Sequence, residues 1–323
     1  MYYPKATTYR HFWCFILFPF SFLTAQTDTL PVYDLLGLTV SATTTSLPIN
    51  APVARLRHAD LARYDNESLL AGFNSVPGAR FEQRSPGSYR ISVRGSSLRA
   101  PFGVRNVKVY WNGLPLTEPG GDTFLNFLDP TNIQSLTIFK GPAGSLYGAG
   151  TGGAVLLNSA AGQVGDQVSL QIGQFGSARL AWEHRRTRGF GKYTQIRLAH
   201  QRTDGWREHS QLARTVAELG IYGKGNNGHG RSLHILATDL HYEIPGGLNP
   251  EQYEENPRQA RPGSVDSRAA INYQNLLVGG RLYGPILNGT LRHETGIYAS
   301  ANLFDHPFNI DHKRESNLGV GLR

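Results

Sequence analysis

The stretch Ile133 to Leu157, IQSLTIFKGPAGSLYGAGTGGAVLL, decides how the chain reads. Two short apolar runs flank a turn-rich centre with six glycines and one proline. Apolar runs of that length, bounded by Gly and Pro, are strand signals. The segment therefore predicts a strand, a tight turn, one helical turn, a glycine hinge and a second strand. Gly148, Gly150 and Gly153 satisfy G-x-G-x-x-G. A dinucleotide loop needs a helix next, but Ala154-Val155-Leu156-Leu157 continues as a strand. No helix N-terminus is left to hold a pyrophosphate. The glycines read instead as backbone devices that permit positive φ and close packing.

Upstream, residues 56–160 read as one compact α/β unit. Asp65 or Asn66 is placed to cap a short helix over Glu67–Ala71, ending near Gly72. Val76-Pro77-Gly78 is a turn, and Tyr89–Val93 and Val107–Trp111 are strands. Asn112-Gly113 between apolar residues is a strong turn signal. Asp129-Pro130 is an N-cap followed by a proline at the first helical position, which opens a short helix through Ile133. Residues 26–55, rich in Thr, Ser, Pro and Ala, read as an extended segment containing one strand-like run, Leu38–Ala42.

Downstream, residues 161–323 change texture. Val168, Leu170 and Ile172 alternate with Ser169, Gln171 and Gly173. Leu180 and Trp182 alternate with Arg179, Ala181 and Glu183. Ile196 and Leu198 follow the same rule, as do Ala217, Leu219 and Ile221, and later Leu236 and Leu240. Tight connectors at Gly225–Gly228 and Leu287–Gly289 contrast with a long polar stretch from Ile244 to Arg268. Alternating strands with short turns on one side and long loops on the other predict antiparallel transmembrane β-barrel strands. A soluble sandwich or propeller shares the alternation.

Composition agrees. The chain has 323 residues, with 37 glycines, 11% aromatic and only 17% charged residues. That mix excludes a disordered chain and a helical bundle. Mean hydropathy is −0.33, which suits both a soluble protein and a barrel whose inner face is polar. Residues 1–25 read as a secretory signal: Lys5 and Arg10, then the apolar run Phe12–Leu23, then the small Ala25. That run is shorter than the roughly 20 residues a spanning helix needs. The single cysteine, Cys14, lies inside it, so a mature chain carries no disulfide. The net charge of +8 falls to +6 without Lys5 and Arg10. Its basic residues are scattered, apart from Arg185, Arg186 and Arg188, which points away from nucleic acid and reads as arginines spread over a large polar surface, with contact to an anionic ligand or lipopolysaccharide as the functional alternative.

The chain has no G-x-S-x-G, no H-E-x-x-H and no paired cysteines. Its histidines, among them His184, His200 and His293, lack metal-ligand spacing and sit on alternating strands. Asp122, Asp129 and Glu118 are close in sequence, but turn capping accounts for them as well as acid–base work does. The expectation is therefore no catalytic residues, no metal, no cofactor and no enzyme.

Four ordered motifs carry a resemblance. Leu69–Ala79 is a helix leading into Val-Pro-Gly, and Ile91–Gly95 is a strand ending in Arg-Gly. Val109–Pro115 is an Asn-Gly-x-Pro hairpin. Ile133–Asn158 closes the unit, with Lys140, Gly141, Pro142, Tyr147 and Gly148 at diagnostic positions. Together, over about 100 residues, these resemble the plug domain of TonB-dependent outer-membrane receptors. The resemblance implies a plug inside a 22-stranded barrel and an outer-membrane location. It implies two partners besides lipid: TonB, and a scarce small molecule such as a ferric chelate. The TonB box would be Leu38, Thr39, Val40, Ser41 and Ala42, pairing with TonB as an added strand. Ligand contact would fall to plug loops Arg94–Val104 and Pro115–Phe124, with Arg94, Arg99, Arg105, Glu118 and Asp122 as candidates. A buried Arg94 paired with a barrel carboxylate is the alternative for that residue. Asp204–Arg207 and Ile244–Leu248 look like loops of iron-chelate receptors.

Two departures accompany this. Only about a dozen residues separate Gln26 from the candidate box, leaving no room for a signalling domain. About 160 residues follow the plug, enough at roughly 20 per strand and connection for about eight strands, well short of 22. The chain ends on Gly319–Arg323 without the terminal aromatic usual in these barrels. The expectation is an N-terminal fragment: an α/β plug domain followed by an incomplete barrel. A plug-bearing interaction protein that does not transport is the alternative, and a secreted β-rich enzyme the third reading.

Overall fold

The computed structural model describes residues 52–61, 63–64, 68–85, 87–96, 106–118, 121, 123, 125–126, 128–141, 147–148, 150–159, 163–308 and 312–322. The leader, Leu38–Ala42, Arg99, Arg105, Asp122 and Pro142 lie outside them.

The plug opens with β1 (Val53–Arg57), α1 (His58–Leu61) and α2 (Leu70–Asn74). A hairpin follows, β2 (Ala79–Ser85) with β3 (Ser88–Val93), then β4 (Val107–Trp111) and β5 (Leu114–Pro115). A 3-10 turn at Pro130–Asn132 leads into β6 (Ser135–Lys140) and β7 (Gly153–Asn158). The main plug sheet runs β1-β6-β7-β4-β5. The opening stretch thus supplies its centre: β6 and β7 are antiparallel neighbours, and β7 runs parallel to β4. Gly153 begins β7 at φ +129, where a Cβ would collide with the Phe139 carbonyl oxygen. Only glycine lets the two backbones close there. The Asn112-Gly113 turn takes positive φ at both residues, 48 and 80. That geometry joins Trp111 to Leu114 across the β4–β5 hairpin.

Two local readings shift. The helix expected over 67–71 runs over Leu70–Asn74, with the Ser68 hydroxyl accepting the Leu70 N–H at 3.1 Å. Gly72 lies inside this helix because Leu61 packs onto it; a Cβ would sit 2.8 Å from Leu61 Cδ2. β1 starts at Val53, ahead of the expected boundary at 56, because it pairs with β6 from Val53–Phe139 to Arg57–Ser135.

The wall is a single antiparallel sheet of eight strands in sequence order. They are β8 (Gly165–Ile172), β9 (Ala178–Thr187), β10 (Lys192–Thr203), β11 (Leu212–Lys224), β12 (Gly230–Glu243), β13 (Ala270–Ile286), β14 (Leu291–Pro307) and β15 (His312–Leu322). Among the described residues β8 pairs only with β9 and β15 only with β14, so the sheet is open. The turns at 188–191, 225–229 and 287–290 share one end. The loops at 204–211 and 244–269, the second carrying α3 (Pro250–Glu255), share the other. No helix among the described residues is long and apolar enough to cross a membrane.

Alternation sorts the two faces of the wall. Val168, Leu170, Ile172, Leu180, Leu198 and Ile221 are exposed on the outer face, while Arg179, Gln195, Arg197 and Glu218 are buried on the inner one. Leu236 and Leu240 depart from the expected rule. They are 0% and 1% exposed and face inward, and the outer positions of β12 are Leu233, Ile235 and Ala237. The reason is tertiary. Leu212, Val216, Leu236, Leu240 and Leu277 form an apolar patch on the inner face, and it joins the plug core of Val93, Val109, Trp111, Leu136 and Ile138.

Candidate functional site

The seam between plug and wall gathers most of the buried charge. Asp129 shows how the sequence builds it. One carboxylate oxygen accepts the Thr131 N–H at 3.2 Å and its hydroxyl at 3.1 Å, capping the 3-10 turn as expected. The other accepts from Arg179 of β9 at 2.5 Å, with both side chains under 5% exposed. Arg179 also donates to Ser169 at 3.0 Å and to the Thr131 hydroxyl. The turn that starts the decisive segment is thereby pinned to the wall.

Arg197 of β10 is the hub. Its guanidinium donates to Glu183 Oε2 at 3.0 Å and Oε1 at 3.2 Å, and it stands 3.9 Å from Glu218 Oε2. It also donates to the Asn132 carbonyl at 3.4 Å and to the Ser159 carbonyl. The Asn132 amide donates to Glu218 Oε1 at 3.1 Å, and Gln195 donates to Glu183 at 2.6 Å. Arg214 donates to the Asn126 carbonyl at 3.0 Å. Arg281 of β13 lies over the Asn112-Gly113 turn, leaving no room for a side chain on Gly113. It donates to the Asn112 carbonyl at 2.7 Å and pairs with Glu294 at 2.6 Å. Charges buried this deeply persist only when paired and hydrogen-bonded. Across the seam it is wall arginines that reach plug oxygens: Arg179 ion-pairs with Asp129, and Arg197, Arg214 and Arg281 donate to plug carbonyls. Arg94, the plug arginine considered for the opposite arrangement, is exposed.

Asn112 does a second job. Its amide donates to the Ser159 hydroxyl at 2.8 Å and its side-chain oxygen accepts the Ser159 N–H at 2.9 Å. Together these tie the β4–β5 turn to the end of β7.

The remaining expected residues fall into two places. Arg94, at φ 50, stands beside Gly141 at the end of β6. Tyr147 packs on Phe139 and Tyr110, and its carbonyl accepts the Tyr110 hydroxyl at 3.0 Å. Lys140 ends β6, with its N–H on the Pro52 carbonyl, and Gly148 takes positive φ, 70. Glu118 instead meets the wall: Tyr273 donates to it at 3.0 Å, Asn302 at 2.6 Å and Asn317 at 3.4 Å. These partners lie toward the long-loop ends of β13, β14 and β15.

Above them the loops are stitched together by Arg207. It donates to the Gly246 carbonyl at 2.7 Å and to the Gln259 carbonyl at 2.8 Å. Glu208 N–H bonds the Arg258 carbonyl at 2.7 Å, and Arg258 returns a bond to Trp206 at 2.9 Å. The two segments singled out by sequence, Asp204–Arg207 and Ile244–Leu248, are therefore held against each other. Burial among these carbonyls draws Arg207 below the usual arginine value. Among the described residues no group of three or more His, Cys, Asp or Glu could hold a metal.

Residues 47–155 match the TonB-dependent receptor plug domain family. The chain carries a TonB-dependent receptor plug domain. Solved structures place the wall with it. A ferric citrate transporter, FecA in its unliganded form, is 16% identical with a TM-score of 0.65, over 84% of this chain and 42% of its own. The siderophore receptor PirA from Acinetobacter baumannii is 11% identical with a TM-score of 0.59, over 83% and 43%. The copper transporter OprC is 14% identical with a TM-score of 0.58, over 79% and 38%. At these identities the likeness is one of fold: a plug domain followed by antiparallel wall strands. The chain spans about two fifths of the length of these structures.

Proposed function

We propose that the chain is part of a TonB-coupled outer-membrane receptor that imports a scarce small molecule, with ferric chelates as the leading ligand class. One observation carries this reading. The plug covers an inner face that carries buried charge and one apolar patch, while the outer face of the same sheet exposes apolar side chains, the arrangement a membrane barrel needs and a soluble sheet avoids. The named functions of the ferric citrate transporter and the siderophore receptor support an iron chelate, and the copper transporter keeps other metal complexes in the test panel. Ligand contact belongs to the plug loops carrying Arg94, Arg99, Arg105 and Asp122, with Glu118 fastening its loop to the wall. Leu38–Ala42 is the TonB box, recruited by strand addition.

The test is uptake of a panel of ferric and cupric chelates by cells expressing the gene under metal limitation, with and without TonB. Deleting Leu38–Ala42 should abolish TonB-dependent uptake while leaving surface binding; unchanged uptake removes that segment as the box. A second reading is an interaction protein that docks TonB or a barrel partner without transport. TonB pull-down without uptake of any chelate would favour it.

A further inference from the structure

The outer face of the wall is graded along its strands near the short turns. Across neighbouring strands, Lys192, Gly223 and Arg231 form one row, and Leu282 continues it. The next row toward mid-sheet is Thr194, Ile221, Leu233, Gly280 and Ile297. The row beyond is Ile196, Leu219, Ile235, Val278 and Ala299, apolar throughout. Two glycines break the relief. Gly223 leaves Lys192 and Arg231 with no side chain between them, and Gly280 does the same for Leu233 and Ile297. A groove of about 1060 Å³ follows these gaps. Ile221, Leu233, Leu282 and Ile297, which border it, are each 39% exposed or more.

The groove's turn end is cationic. Arg188, Lys192 and Arg231 are exposed lining residues, and none makes an ion pair among the described residues. The opposite rim of the same face differs. There Asp239 and Asp305 face outward, and Asp305 pairs with Arg314 and His312. Lys192 and Arg231 are two strand spacings apart, about 10 Å, so their long side chains can converge on one phosphate.

The geometry points to a binding site for one anionic glycerophospholipid, with its phosphate on Lys192 and Arg231 and its acyl chains along Ile221, Leu233, Leu282 and Ile297. This rests on the membrane reading above. In barrels the short turns mark the periplasmic side, so the site lies in the phospholipid leaflet. The order from cation to hydrocarbon along the strands is the order of a lipid from headgroup to chain. A free phosphate would not use the apolar row, and a protein surface would not use the mid-sheet rows.

The test uses the whole chain in detergent, with native mass spectrometry of retained lipid. Phosphatidylglycerol, phosphatidylcholine, lipid A and inorganic phosphate are offered separately and in competition. Phosphatidylglycerol should exceed phosphatidylcholine by about tenfold or more. Each of Lys192→Gln and Arg231→Gln should lower its retention about fivefold, as for a basic side chain at a lipid surface. Gly280→Leu should lower it with charge unchanged, and the distant pair Arg202→Gln and Arg314→Gln should not. Equal retention of the two phospholipids, lipid A matching phosphatidylglycerol, displacement by phosphate alone, or equal loss in the distant pair would each overturn the site. Flotation of the chain on phosphatidylcholine vesicles separates the two levels. A chain that floats without preferring phosphatidylglycerol removes the lipid site alone; one that does not float removes the membrane reading and this site with it.

Discussion

Plug and wall use the same period-two alternation with opposite sense. In the plug, β4, β6 and β7 turn Val109, Trp111, Leu136, Ile138 and Val155 into an apolar core that the wall patch continues. In the wall, most apolar side chains point outward, and the inner face carries Arg179, Gln195, Arg197, Arg214 and Glu218. The plug therefore has an interior of its own, while the wall presents two different faces, one of exposed apolar side chains and one covered by the plug. The seam between them is mixed. An apolar patch at Leu236, Leu240 and Leu277 adjoins a network of ion pairs and amide bonds. Water can replace ionic and amide contacts far better than it replaces apolar ones. The polar part of the seam is thus the part that can part and re-form without exposing a core.

The sharpest way to break this comparison is at the hub. Arg197→Ala strands Glu183 and Glu218 in a buried site, and should cost about 3–5 kcal/mol. A denaturant midpoint in detergent would register it as a large shift. Replacing Arg197, Glu183 and Glu218 together by apolar residues of similar volume should restore much of that loss. A triple variant as weak as the single one would mean that the pairs themselves, and not merely the avoidance of unpaired charge, hold the seam.

The two faces of β12 give the next contrast. Leu236→Ala opens a cavity under the plug and should cost about 2–5 kcal/mol. Leu233→Ala, on the outer face, should cost under about 1 kcal/mol in detergent. Matched losses would show that the inner and outer faces are not distinguished as drawn. Within the plug alone, Gly153→Ala forces a side chain onto the Phe139 carbonyl at φ +129, and should cost about 1–3 kcal/mol. Trypsin cleavage of the plug at equal wall stability would check that this loss is local.

What could be read in advance follows from which forces are local. The Asn112-Gly113 turn, the Val76–Gly78 turn and the strand that excludes a phosphate loop after Gly153 are written in adjacent residues. The wall strands are legible for a similar reason, since alternation is a short-range pattern, and the chain length sets eight of them. Leu236 and Leu240 escaped because alternation separates two faces without saying which is inner when both carry leucine. The seam arginines escaped because their partners are remote: Arg179 reaches back 50 positions to Asp129, and Asn132 reaches 86 forward to Glu218. The one available signal was charge recurring at inner positions of alternating strands, Arg179, Glu183 and Arg197, where a lone membrane strand has no use for it. The late end of α2, past Gly72, has the same origin, since Gly72 is demanded by Leu61 and not by its sequence neighbours.

A small expected effect is the most discriminating for the turn. Asn112 holds φ 48 and makes two side-chain bonds to Ser159. Asn112→Gly keeps the backbone conformation and loses only those bonds, so it should cost about 1 kcal/mol, near the net value of a typical hydrogen bond. Asn112→Ala loses the bonds and also strains a left-handed position, adding about 1–2 kcal/mol. In both variants the Arg281 guanidinium still has the Asn112 carbonyl to bind, because that acceptor is main chain. If the two variants differ as stated and the Arg281→Ala loss adds to each without coupling, the turn is fixed from inside the plug and merely held by the wall. Strong coupling between Arg281 and Asn112 would reverse that order and make the wall the element that shapes the turn.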